Sequence, residues 1–265
     1  MSRLLPDIRT QWPPSRLYVS LLQHGEAVLR QWGFNRRHWD CAWAQKLRVT
    51  TDVTAALSQL LDASTEAIPA MTKVHLLLPD NMAVFRLIAW QPALQTNDEQ
   101  RQYAIEHFER AGLRVRAGWV VESSWCGPGN TLAYALPQVF VQSLETVLQA
   151  RGLILSKISL PSVLCHYGSF WLAPTSAWRL LNSGGSLTLM VYQDRCLTHW
   201  LNEPGLGSFA VTLQRLLGRY VSLRSADTPS PGKIDLLGLD PVMVQPWLTE
   251  AVRFRRLQPF SLKGL

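Results

Sequence analysis

The side chains here that could carry a reaction are the histidines, the cysteines, a few serines and some acidic pairs, and their spacing limits what each could do. His24, His38, His75, His107, His166 and His199 fall into no H-E-x-x-H or comparable metal-ligand spacing, so each reads as a surface or hydrogen-bonded interior residue. Cys41, Cys126, Cys165 and Cys196 are far apart, with no C-x-x-C pair to hold zinc or begin a disulfide framework; they read as small core residues of a reducing compartment. Ser123, Ser124 and Ser162 lack the G-x-S-x-G turn of a hydrolase nucleophile. Asp98, Glu99, Glu106 and Glu109 share one amphipathic helix and suit its solvated face better than an acid–base pair. The pair Gly184-Gly185 precedes a strand instead of a helix N-terminus and reads as a flexible linker, not a phosphate loop. No catalytic residue and no metal ligand emerges, and the expectation is a protein that is not an enzyme.

Composition narrows the class further. Among 265 residues, 47% are hydrophobic and 17% charged, which excludes wholesale disorder and supplies a core large enough to divide between two lobes. Lys and Arg number 26 against 19 Asp and Glu, a net charge of +7. That balance favours anionic surroundings, yet its densest clusters are only Arg36-Arg37, Arg114 with Arg116, and Arg253 with Arg255 and Arg256, short of a nucleic-acid arm. The first residues carry no apolar stretch after Arg3, and apolar runs such as 131–141 are interrupted by Pro137 and Gln138, so neither a signal peptide nor a membrane span is expected and the cytoplasm follows. Eleven tryptophans are many for this length; most suit core packing or amphipathic edges.

The elements that must position these residues follow from periodicity. After an irregular, proline-rich lead-in (1–16), residues 17–22 and 27–30 read as a hairpin around Gly25, and 39–49 as a third strand. Val53, Ala56, Leu57, Leu60 and Leu61 have amphipathic-helix spacing behind a cap at Asp52 or Thr51. The apolar run 74–78 ends at Pro79 and suits a central strand buried on both faces. Strand 84–90 leads to a capping box at Thr96 and Glu99 and a helix ending at Gly112. Strands 116–125 and 130–136 flank a Gly-Pro-Gly turn, Pro137 opens a helix stopped at Arg151-Gly152, and strand 153–158 precedes a helix opened by Pro161. Residues 174–185 break the pattern. A second hairpin, 187–192 and 196–201 around Asp194-Arg195, precedes a helix 208–217 closed by Gly218, a strand 233–237 and a last helical segment 242–254. Leu17, Val19, Leu21 and Gln23 match Leu187, Leu189, Val191 and Gln193 in register, which suggests a duplicated lobe.

A duplicated α/β lobe opening with a hairpin resembles the actin-like ATPase superfamily, whose paired hairpins clamp phosphates between two lobes. The segment order, with the stretch LPQVFVQSLETVLQARGL at 136–153 followed by ISLPSVL at 158–164, is similar to the PilM and GspL family of pilus-assembly and type II secretion proteins. Its short HofM-like form, used in DNA uptake, fits the length. The resemblance implies an α/β, two-lobed actin-like ATPase (ribonuclease H-like) fold: a first lobe 17–173 carrying an inserted subdomain at about 80–136, and a reduced second lobe 174–265. It also implies where a nucleotide would bind, and there the family pattern is degraded. The first hairpin keeps Gly25 but lacks the family's Asp and following Lys. The second offers Asp194 beside the bulky Tyr192 and Arg195. Gly238 and Asp240 stand where a Gly-Gly pair approaches adenosine. The expectation is a degenerate nucleotide site and no cofactor, with ATP and magnesium only if the alternative reading of a working ATPase holds.

What the resemblance implies for partners is the cytoplasmic tail of a PilN-like single-span protein, docked as an extended peptide, with the assembly ATPase as a further candidate and a homodimer left open. The protein would be a cytoplasmic scaffold peripheral to the inner membrane, where a basic surface meets anionic headgroups. Arg86, Trp90 and Trp119 are the candidate tail-binding residues, chosen for contact area and charge on predicted strands. A single-stranded nucleic-acid binder using basic charge and tryptophan stacking is the second alternative; specific nucleic-acid binding is not expected.

Overall fold

In a computed structural model the described residues are 16–21, 27–35, 38–47, 52–64, 68–123, 129–167, 178–183, 186–205, 207–223, 233–237, 239, 241–244, 246 and 253–257. By contacts, the chain divides into two compact units, Met1–Leu78 with Gln142–Ser159, and Pro79–Val141 with Leu160–Leu265.

The first unit is built on a five-stranded sheet. β1 (Arg16–Leu21), β2 (Ala27–Asn35) and β3 (His38–Leu47) are joined antiparallel, and β4 (Lys73–Leu77) and β8 (Ile154–Ser159) extend it in parallel, in the order β3-β2-β1-β4-β8. The predicted hairpin is therefore present, and the apolar run at 74–78 is internal as expected. α1 (Val53–Asp62) forms where its spacing predicts, with the Asp52 carboxylate accepting from the Thr54 and Ala55 amides, and it buries Val53, Ala56, Leu57, Leu60 and Leu61. α3 (Gln138–Gln149), which enters this unit at Gln142, buries Leu144 and Leu148 and is followed by a turn at Gly152, whose φ of +68° favours glycine. Arg151, bound to the Asp62 carboxylate at 2.6 Å, ties the end of α3 to the end of α1.

The second unit contains two sheets. β5 (Val84–Ile88), β7 (Thr131–Pro137) and β6 (Trp119–Glu122) form a three-stranded antiparallel sheet in the order β5-β7-β6. Against it lies α2 (Asn97–Arg110), whose predicted capping box is complete: the Thr96 hydroxyl accepts from the Glu99 amide while the Glu99 carboxylate accepts from the Thr96 amide. Phe108 and Ala104 pack on Ile88, Ala133, Ala135 and Val121. By contacts, Pro79–Val141 groups with Leu160–Leu265. Phe85 stacks on Trp200 with ring centroids 4.4 Å apart, and Asn130 Nδ2 donates to the Leu197 carbonyl.

The larger sheet of this unit carries the main correction to the sequence reading. Residues 174–185 were expected to be without regular structure, yet β9 (Trp178–Ser183) is a fully integrated strand. It pairs antiparallel with β10 (Ser186–Gln193), which pairs with β11 (Cys196–Pro204), and it pairs in parallel with β12 (Lys233–Leu237), beside which lies β13 (Arg253–Leu257). The order β11-β10-β9-β12-β13 reproduces that of the first sheet strand for strand. The duplication is thus present, displaced by one strand from the alignment suggested by the sequence: β9 and β10, not β10 and β11, answer to β1 and β2.

One face of this sheet, Trp178, Leu180, Leu187, Leu189, Val191, Ile234 and Leu236, packs on Leu213, Leu216 and Tyr220 of α5 (Phe209–Leu223). The helix was expected to close at Gly218. It runs five residues further because Tyr220 falls on the buried stripe and its ring meets Trp178 edge-on at 4.8 Å. Of the expected terminal helix the described residues include α6 (Pro241–Val244), and its expected end at 253–254 is instead part of a strand, residues 253–257. Leu216 has no exposed surface. Replacing it with Ala is expected to cost about 2–5 kcal/mol, measured as a lowered midpoint in urea unfolding with little change in slope.

Candidate functional site

Alternation along β9, β10 and β12 leaves a second face, and this one is polar and buried. Arg179, Ser183, Ser186, Thr188 and Asp235 lie on it with Leu181, Met190, Tyr192 and Leu237, and none is more than 6% exposed. α4 (Pro161–Tyr167) covers part of it. A charged residue can occupy such a position only if it is paired and hydrogen-bonded. Arg179 meets these terms: Nε lies 3.6 Å from the Asp235 carboxylate, Nη1 donates to the Cys165 carbonyl at 2.7 Å, and the guanidinium carbon sits 5.1 Å from the centre of the Tyr192 ring. The Tyr192 hydroxyl in turn reaches His166 Nδ1 at 3.2 Å.

A second cluster on the same face centres on Asp80. Its carboxylate accepts the Ser162 amide at 3.0 Å and the Ser162 hydroxyl at 2.7 Å, and the Thr188 hydroxyl also bonds to it. Thr188 accepts from Asn202 Nδ2 at 2.8 Å, and the same amide reaches Ser186. Burial pushes the Asp80 carboxyl up to about 6, against the hydrogen bonds that favour its charge. Burial, with the nearby Arg179 charge, holds His166 down to about 4. Burial raises the Cys165 thiol to about 11, which leaves it a weak nucleophile near neutrality.

None of these buried groups was singled out as a site by sequence reasoning, and Ser162 was considered only as a nucleophile. Its hydroxyl is fully buried and occupied by Asp80, which makes it a structural donor. The signal that could have found the cluster is Arg179 itself: a lone Arg between apolar residues calls for a distant acid.

The predicted site residues are dispersed. Arg86 lies exposed on β5, an edge strand of the three-stranded sheet, and Trp90, 39% exposed, follows that strand. Trp119 lies on β6, at the other edge, and packs half-buried against the α2 core. Arg86 stands opposite Ala133 and Trp119 opposite Pro137, so β7 separates them and their Cα atoms are roughly 16 Å apart on strand geometry. Asp194 is exposed at the β10–β11 turn, where it and Arg195 both adopt positive φ, 49° and 67°, as a two-residue hairpin requires. By strand order β10 and β11 answer to β2 and β3. Gly25, Gly184, Gly185, Gly238 and Asp240 lie outside the described residues. Among the described residues, no three His, Cys, Asp or Glu side chains are grouped to hold a metal, and no helix is long and apolar enough to cross a membrane.

No protein-family model and no curated protein matches the sequence. Solved structures do match. A Bacteroides thetaiotaomicron protein of unknown function with an actin-like ATPase fold is 11% identical, over 96% of this chain and 94% of that one, with a TM-score of 0.63. A chain of the PilM–PilN type IV pilus biogenesis complex is 12% identical, over 92% and 88%, at 0.61. The cytoplasmic domain of EpsL, an inner-membrane component of the type II secretion system of Vibrio cholerae, is 13% identical, over 92% and 89%, at 0.56. The chain therefore has the actin-like ATPase fold.

The two shifted groups make opposite contributions to stability between about pH 4 and 6. Asp80, raised from 3.8 to about 6, binds its proton more tightly when folded, so its contribution is full below about 4 and lost as pH rises through 6. His166, lowered from 6.5 to about 4, contributes above 6.5 and loses that contribution as pH falls through 4. Urea unfolding from pH 4 to 7 is expected to show D80N gaining up to about 3 kcal/mol relative to wild type as pH rises. H166Q shifts the opposite way. Parallel profiles for all three proteins would contradict the assignment.

Proposed function

We propose that this chain is a non-catalytic scaffold of an inner-membrane platform that assembles pilus or pseudopilus filaments, and that it grips the cytoplasmic tail of a PilN-like single-span protein. The observation that carries the reading is the fold as a whole: two sheets of identical strand order plus a three-stranded insert, matched over about nine-tenths of both lengths by a chain of the PilM–PilN complex and by the EpsL cytoplasmic domain. The insert supports it locally. Its β5 edge presents Val84 and Arg86, with Trp90 just beyond, all exposed on a scaffold fixed by α2. An edge strand offers unpaired backbone groups, and an exposed Trp and Arg supply contact area and charge for an extended peptide. The net charge of +7 suits a cytoplasmic protein held peripherally at an anionic membrane surface.

A working nucleotide site is the second reading, and one observation favours it: the fold matches that of a protein with an actin-like ATPase fold over 96% of this chain. Calorimetry with ATP and magnesium tests this directly. Under the scaffold reading no saturable heat appears at millimolar nucleotide, whereas micromolar binding would establish the rival. For the tail, fluorescence anisotropy with a labelled peptide from the N-terminus of a PilN-type protein of the same genome should give saturable binding, weakened about tenfold by R86A or W90A. Unchanged affinity in both variants would remove these residues from the tail site.

A further inference from the structure

The chain passes between its two compact units at three points, after Leu78, after Val141 and after Ser159. Two of these follow β4 and β8, neighbouring parallel strands whose last rung is the Leu78 amide donating to the Ser159 carbonyl at 3.0 Å. Just beyond that rung, within the second unit, the two outgoing segments meet again: Asp80, 1% exposed, holds the amide and the hydroxyl of Ser162, which has no exposed surface. Ser162 is the second residue of α4, a helix of seven residues that opens with Pro161. Leu160, which precedes it, has no side-chain acceptor, so Asp80 satisfies a first-turn amide that a local cap would otherwise serve. Two turns of helix do not support themselves in water. α4 depends on what it touches: Asp80 at its start, and Arg179 on the Cys165 carbonyl and Tyr192 on His166 towards its end.

The geometry points to a latch: Asp80, supplied by one outgoing segment, fastens the first turn of the helix that begins the other, so that the two segments are set together. Thr188 and Asn202 brace the carboxylate from β10 and β11, which fixes the latch to the second sheet. Release of the latch frees the start of α4 without disturbing the opposite face of the sheet, which is packed on α5. The latch stands whether the protein serves as a scaffold or binds nucleotide.

Residue-resolved hydrogen exchange on the full chain tests it, comparing wild type with S162A, which removes one donor, and D80N, which keeps one acceptor and the shape. Amides 164–167 of α4 should exchange at least tenfold faster in S162A and in D80N. Amides 213–220 of α5 should change less than twofold. Unchanged α4 exchange in both variants would overturn the latch. An equal acceleration in α4 and α5 would also overturn it, because it would mark general destabilisation.

Discussion

A guanidinium and a carboxylate taken out of water cost several kcal/mol each unless they find one another, and Arg179 and Asp235 are each no more than 1% exposed. That requirement organises the second unit. Arg179 on β9 must lie beside Asp235 on β12, and the parallel register pairs these two residues directly. The remaining donors of Arg179 then need acceptors, one of which is the Cys165 carbonyl, so α4 must lie over the sheet. Tyr192 covers the guanidinium and engages His166. One buried pair thus fixes the positions of β9, β12 and α4 and the rotamer of a residue on β10. An apolar pair of similar volume could fill the same space, but it would not specify register in this way.

Much of this architecture is legible in the sequence, and what is not legible has physical causes. α1, with its apolar stripe behind Asp52, and α2, with its capping box at Thr96 and Glu99, are local structures whose signals lie within a few residues of the elements they define. The β10–β11 hairpin is similarly local. β9 is hidden because its inward residues include Arg179 and Ser183, which read as loop unless Asp235, far along the chain, is known to face them. The same strand, once hidden, shifts the apparent repeat by one strand. Gly218 looks like a helix end, yet Tyr220 has a buried place against Trp178, and that tertiary contact outweighs the local cost of glycine. Residues 253–257 pair with β12 through a long-range parallel ladder, the kind of partner that periodicity does not reveal.

The paired five-stranded sheets define the fold that this chain shares with pilus and secretion components, while the insert supplies the exposed edge on which a tail is proposed to lie. Trp119, chosen with Arg86 and Trp90 for its size, contributes to the insert's core from the opposite edge, so contact area and charge are concentrated on the β5 side. The buried polar face holds groups whose hydrogen-bond partners are largely supplied by neighbouring strands and α4. On the same face the Asp80 carboxylate holds the amide and hydroxyl of Ser162 in the first turn of α4.

The claim on which the account rests most heavily is that the Arg179–Asp235 pair holds the second sheet together, and a double-mutant cycle measures it. Urea unfolding of R179M, D235L and the double variant should show each single change costing about 3–5 kcal/mol, with the double variant recovering at least about 2 kcal/mol of their sum. Strictly additive losses would contradict it, because the two side chains would then contribute independently and could not set the register of β9 on β12.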